Sequence, residues 1–180
     1  MLRLAVLAVV VPSVVFFGGA QLMLAVAGAG EGRAAAQHGK PLNKRFGYSR
    51  DDVAQLWEKL TPADREVERR LLQVDLVFPL AYGATLAIAL LAVWTARGGP
   101  FNAMWFLLPV IVGVLADWTE NLVQLEQLHR FTVGGAKAVD RGWISVASAA
   151  TIVKLVSLGA AAGLLVALAF WTMARGRAPA

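Results

Sequence analysis

The chain has 180 residues, 58% of them hydrophobic, with a net charge of +5 and no cysteine; its mean hydropathy is +0.60. The apolar residues come in blocks long enough to cross a hydrocarbon core of about 30 Å, which excludes an ordinary soluble domain. Disulfides, thiolate metal sites and cysteine nucleophiles are excluded with the cysteine, and a nucleic-acid partner has no support, because no basic stripe is interleaved with aromatic residues.

The expected fold is all-α: a four-helix transmembrane bundle in a single integral membrane domain over 1–180. The spans run over about 4–27, 71–96, 101–123 and 143–174, and an extramembrane segment over 28–70 carries short amphipathic helices.

The first block resembles a secretory signal in its Met1-Leu2-Arg3 start and its Ala25-Val26-Ala27. Its apolar run of about 24 residues exceeds the ~7–15 of a signal core, so it reads as an uncleaved helix, with cleavage left open. Pro12 and Gly18-Gly19 permit a bend or close packing, and Gln21 is its strongly polar side chain.

A Gly/Ala-rich linker then leads to a basic patch at Lys40, Lys44 and Arg45. Ser49 with Asp52 three residues on is a helix start, and Val53, Leu56, Trp57 and Leu60 follow at i, i+3, i+4, i+7. Thr61-Pro62-Ala63-Asp64 is a second start, with Glu66 and Arg70 as an i, i+4 pair. These charges read first as a solvated helix face. Trp57 is expected to pack on the bundle or lie in the membrane interface.

In the second span, Pro79 cannot donate to the carbonyl of Asp75, so a kink is expected beside that acid. Tyr82, seven residues on, shares its face. After Arg97-Gly98-Gly99-Pro100 comes the third span, where Pro109 and Gly113 suggest a further bend. It contains the stretch that most needs explaining, Asp117-Trp118-Thr119-Glu120-Asn121. Asp117, Glu120, Asn121 and Gln124 fall at i, i+3, i+4, i+7, with Trp118, Leu122 and Leu125 on the opposite stripe.

The fourth block, at ~1.5 Å per residue, is too long to lie wholly in hydrocarbon, so it tilts or protrudes. It carries Lys154 in its interior and a Gly159/Gly163 pair suited to helix contact.

Trp94, Trp105 and Trp171 mark one membrane boundary. Counting from them at ~1.5 Å per residue, Asp117 and Tyr82 lie about 18 Å away, Glu120 about 22, Lys154 about 26 and Asp75 about 28. The expected arrangement is a polar chamber opening toward loops one and three. Asp75 and Lys154 stand near its mouth, Asp117 and Tyr82 lie deepest, and Gln21 is on the same side.

A charge at a span centre costs about 2.5–3.5 kcal/mol on insertion scales, so these groups should pair. Lys154 neutralises one carboxylate of three. The remainder calls for a proton, a bound cation or the cationic group of a ligand. Two plainer readings stay open. Asp75 and Lys154 also fit as interfacial residues, since 76–94 and 155–174 are each long enough to span, and the Asp117 group also fits as structural hydrogen bonding between helices. Tyr82 alone reads more readily as packing than as chemistry.

Phe46-Gly47-Tyr48-Ser49, Asp75-Leu76-Val77-Phe78-Pro79 with Tyr82-Gly83, Asp117 with Glu120-Asn121, and a lysine in the last span together resemble a family of small, uncharacterised bacterial four-helix membrane proteins. The resemblance covers roughly residues 45–160. It implies a four-span fold and a shared polar core, and it carries no activity or cofactor. Such proteins have Gly-Arg and a Tyr just before the second span, where this chain reads Asp64-Arg65-Glu66-Val67-Glu68-Arg69.

Gly-x-Ser-x-Gly, His-Glu-x-x-His and phosphate-cradling Gly-Lys-Ser/Thr motifs are absent from the sequence. Loops one and three carry twelve Lys/Arg, against Arg3, Arg97, Arg175 and Arg177 on the other side, which favours termini outside a bacterial inner membrane.

Three functions compete. The first is a binding or transport protein whose ligand is a cation, small zwitterion or lipid headgroup, held by Asp75, Tyr82, Asp117, Glu120, Asn121, Gln124 and Lys154, with a homodimer expected of so short a transporter. The second is an enzyme acting on a lipid headgroup, with Asp117 or Glu120 as base or as ligands of a divalent cation. The third is an assembly subunit that docks a membrane partner through loop one. The cofactor, if any, is unnamed.

Overall fold

The computed structural model describes residues 2–26, 42, 45–99 and 104–175. The Gly/Ala linker and the Lys40 and Lys44 of the basic patch lie outside them. Among the described residues the chain is all-α, and four helical stretches are long and apolar enough to cross a membrane: Val6–Val26, Pro62–Thr95, Met104–Gly134 and Arg141–Ala174.

Helix α1 spans Leu2–Val26 and packs on the second and fourth spans. It is the least enclosed span, with Ala8 alone among its described residues in the buried core. At Gly19 it meets the second span so closely that an added Cβ would collide with the Phe78 ring. A glycine is what the approach requires.

Loop one folds into α2 (Arg50–Lys59) and α3 (Pro62–Val74). Both begin with a capping box. Ser49 Oγ accepts from the Asp52 N–H while Asp52 accepts from the Ser49 N–H, and Thr61 and Asp64 repeat the exchange. Each satisfies donors that the first helical turn otherwise leaves orphaned, worth about 1 kcal/mol. The bonds from Ser49 hold the Asp52 carboxyl below its ordinary range.

As the periodicity requires, Val53, Leu56, Trp57 and Leu60 are buried. Trp57 is fully enclosed, its ring edge-on to Phe131 at 5.6 Å. Arg65 lies 4.9 Å over the same Phe131 ring and donates to the Trp57 carbonyl. Arg50 donates to the carbonyls of Ala136 and Val139, tying loop one to loop three. Glu66 pairs with Arg70 as the spacing predicts, and with Arg69 as well.

Helix α4 (Phe78–Thr95) follows after a break at Asp75-Leu76-Val77. Its cause is Pro79, which has no N–H for the Asp75 carbonyl. Helix α5 (Leu108–Gly134) is preceded by a 3-10 turn, Met104–Leu107. Pro109 does not bend α5: it sits in the first turn, where its missing N–H has no helical acceptor in any case. Helix α5 also runs eleven residues past Val123, well beyond its apolar stretch.

Gly135, at φ +67°, ends α5, and a short 3-10 turn (Ala136–Ala138) leads to α6 (Arg141–Arg175). At 35 residues α6 is longer than a bilayer is thick. Its first turns protrude on the loop-one side, where Ile144 and Ala147 pack into the cluster around Trp57.

The buried residues thus form layers. Toward the Trp94, Trp105 and Trp171 boundary is an apolar core of Leu86, Leu90, Val93, Phe106, Val110, Leu165 and Leu168. On the loop-one side is a second apolar cluster under α2, built from Val53, Leu56, Trp57, Leu128, Phe131 and Ile144. Between them lies a polar layer.

Candidate functional site

Helix α5 supplies most of the polar layer. Asp117 is 5% exposed, Glu120 and Asn121 are fully buried, and Gln124 is 1% exposed, so the i, i+3, i+4, i+7 stripe faces the bundle interior. The other helices bring Tyr82 from α4, Thr151 and Lys154 from α6, and Asp75 from the α3–α4 break. All seven residues singled out from the sequence meet in one connected cluster.

At its centre Lys154 Nζ donates to Asp117 Oδ1 at 3.0 Å and to Glu120 Oε2. The ammonium therefore stands between the two carboxylates. Tyr82 Oη donates to the other Asp117 oxygen at 2.7 Å. Asn121 Nδ2 donates to Asp117 Oδ1 at 3.2 Å and to the backbone carbonyl of Asp75 at 3.1 Å.

That last bond links sequence to site. Pro79 frees the Asp75 carbonyl, and an unpaired buried carbonyl inside a membrane is costly. Asn121 satisfies it. The neighbouring Leu76 carbonyl accepts from Trp118 Nε1 at 2.8 Å, so Trp118, on the stripe opposite the acids, also supports the broken backbone.

Three features depart from the expected chamber. Asp75 and Lys154, expected at a mouth, are each 6% exposed, as closed off as Asp117 and Tyr82, expected deepest, at 5%. Gln21 is exposed and does not join the layer.

The third is Tyr48, of the Phe-Gly-Tyr-Ser motif, which closes the loop-one end. Gly47, at φ +93°, turns the chain onto α6, where the Tyr48 N–H donates to Ser148 Oγ at 2.8 Å. The phenol then enters the layer: Gln124 Nε2 donates to Tyr48 Oη at 2.9 Å, and Thr151 Oγ1 lies 3.4 Å away. Gln124 also donates to Glu120 at 3.0 Å, joining plug to core. Burial, and next the charge on Glu120, push the Tyr48 phenol up to about 12. It stays neutral over the physiological range.

Acceptors outnumber donors. Three carboxylates share the layer with one ammonium, which pairs with Asp117 and Glu120 and has no salt bridge to Asp75. Asn121 Oδ1 is buried without a hydrogen-bond partner among the described residues. Because Nδ2 is held by two acceptors, the amide cannot be turned to relieve it.

A divalent cation on Asp117 and Glu120 would have to displace Lys154, which occupies the space between them. Among the described residues, no group of three or more His, Cys, Asp or Glu is placed to hold a metal ion. His129 lies exposed on α5, away from the layer.

The protein-family models, curated proteins and solved structures compared with this chain include none that matches it. Four helices able to span a membrane indicate an integral membrane protein in a lipid bilayer.

Proposed function

We infer that the polar layer takes up a small cationic group, the ammonium of a zwitterion or lipid headgroup or a simple cation, and that Asp75 is its principal acceptor. What supports this is the charge count within the layer: the buried carboxylates of Asp75, Asp117 and Glu120 against Lys154, with Asn121 Oδ1 as a further acceptor lacking a donor among the described residues. Asp117 and Glu120 hold Lys154 and shape the site, Tyr82 positions Asp117, and Tyr48 closes the loop-one side.

Movement of the ligand across the membrane, as a homodimer, extends the same reading. So does placement in a bacterial inner membrane with termini outside, among the four-helix proteins the sequence resembles.

Thermal unfolding of the purified protein in sodium, choline and ethanolamine salts tests the reading, alongside native mass spectrometry. At least one cation should raise Tm in the wild type and not in Asp75→Asn. A wild-type Tm indifferent to all three, with no small molecule retained, sinks it.

A second reading draws on the Tyr48 seal: the layer locks the helices in register while α2 and α3 dock a membrane partner. Neutral replacement of each acid would then be tolerated, and changes on the exposed face of residues 50–70 would not.

A further inference from the structure

A cleft of about 390 Å³ opens between α1, α4 and α6, and its walls are almost wholly apolar. Pro12, Phe16 and Phe17 line it from α1, Tyr82 from α4, and Leu158 and Gly159 from α6. The Gly159/Gly163 pair of α6 does not serve helix contact here. A Cβ added at Gly159 or Gly163 would meet nothing within 4 Å. Gly159 instead leaves the cleft floor low.

Three observations say what fits. The cleft follows α6 from Leu155 to Val166, about 16 Å along the membrane normal at ~1.5 Å per residue. That is the shape of an extended hydrocarbon chain.

Its loop-one end begins one residue from Lys154, at the polar layer. Tyr82 is the shared wall, with its ring on the cleft and its hydroxyl on Asp117. That same end is ringed by aromatics. Phe16 lies 5.9 Å from both Phe78 and Tyr82, and Phe78 lies 5.3 Å from Tyr82. Aromatic faces beside excess carboxylates attract organic ammonium groups and repel anions.

We propose that the cleft holds one chain of an amphiphile of the loop-one leaflet, whose ammonium headgroup lies at the aromatic end and faces the acid-rich layer across Tyr82. The proposal rests on the cation reading and narrows it to an aminolipid that enters sideways from the bilayer. Tyr48 closes the loop-one side, so the lateral cleft is the approach that Tyr82 controls.

The test uses the full chain in phosphatidylglycerol vesicles doped with a phosphatidylethanolamine that carries a diazirine on its acyl chain. Adducts formed on illumination are mapped by mass spectrometry. They should be severalfold denser on residues 9–17 and 155–166 than on residues 108–122, whose Leu108, Ile111 and Leu115 are each more than half exposed. Gly159→Phe or Ala162→Phe should remove the excess, and a diazirine phosphatidylglycerol should label the cleft severalfold less.

Even labelling of all lipid-facing helices, or labelling unmoved by both filling variants, overturns the proposal. So does quantitative disulfide dimerisation of Gly159→Cys in this cysteine-free chain, which would place a second copy in the cleft. Equal labelling by the two lipids, unchanged in Asp75→Asn, overturns the headgroup assignment and the cation reading together. Failure of cleft labelling with a surviving cation-dependent Tm overturns the lipid proposal alone.

Discussion

The cluster under α2 and the apolar core near the tryptophan boundary are both buried and both built from Leu, Val and aromatic residues, yet they are held by different forces. By the tryptophan ruler, Leu128, Phe131 and Ile144 lie beyond the hydrocarbon on the loop-one side, so their burial with Trp57 removes apolar surface from water. Leu86 and Leu90 lie inside the hydrocarbon. For them the alternative to a helix partner is lipid, which is as apolar as leucine, and packing alone distinguishes the two. The polar layer stands at the junction, where loss of contact with neighbouring helices would expose charges to hydrocarbon.

The largest effect expected to break this division is removal of Lys154. Lys154→Met leaves three buried carboxylates without a cation, a change worth about 3–5 kcal/mol where one partner of a buried pair is lost. Denaturant unfolding in detergent should show it. If Lys154→Met equals wild type in stability, the layer is already neutralised by protons, and the cation reading loses its charge argument.

Next comes a matched pair of cavities. Trp57→Ala should cost about 3–5 kcal/mol, as large-to-small changes do in water-facing cores, whereas Leu90→Ala should cost roughly half as much or less. Trp57→Phe, which keeps a ring against Phe131 and deletes an indole N–H without a partner among the described residues, should cost far less than Trp57→Ala. Equal losses at Trp57 and Leu90 would erase the distinction between the two cores.

The smallest effect concerns the Tyr48 plug. Its phenol ionises near 10 when unfolded and near 12 when folded. Above pH 10 the unfolded chain therefore releases a proton that the folded chain keeps, and stability falls as pH rises from 10 toward 12, at about 1.4 kcal/mol per pH unit. Tyr48→Phe should remove that part of the alkaline slope while losing an acceptor for Gln124. A slope identical in wild type and variant between pH 10 and 11.5 would place Tyr48 outside the layer.

Much of this arrangement was legible one helix at a time. The spacing of Asp117, Glu120, Asn121 and Gln124 sets them on one face of a single helix whatever the neighbours do, and Pro79 opens the backbone at Asp75 by its own covalent structure. The capping boxes at Ser49 and Thr61 and the apolar stripe through Trp57 are local in the same sense. Pro109 is a local matter too, since a proline bends a helix or starts one according to where the first turn falls.

Relations between helices were another matter, because pairing across a bundle depends on rotation and depth that periodicity leaves free. Only the tertiary structure placed the Lys154 ammonium between Asp117 and Glu120. It alone gave Asn121 to the carbonyl that Pro79 frees, and swung Tyr48 over the layer to close what the sequence suggested was a mouth. It also left Gly159 facing a cleft instead of a helix. Amino-acid order by itself determined that acids would lie inside the membrane with too few positive charges; contacts across more than thirty residues gave those acids their tyrosine and lysine partners.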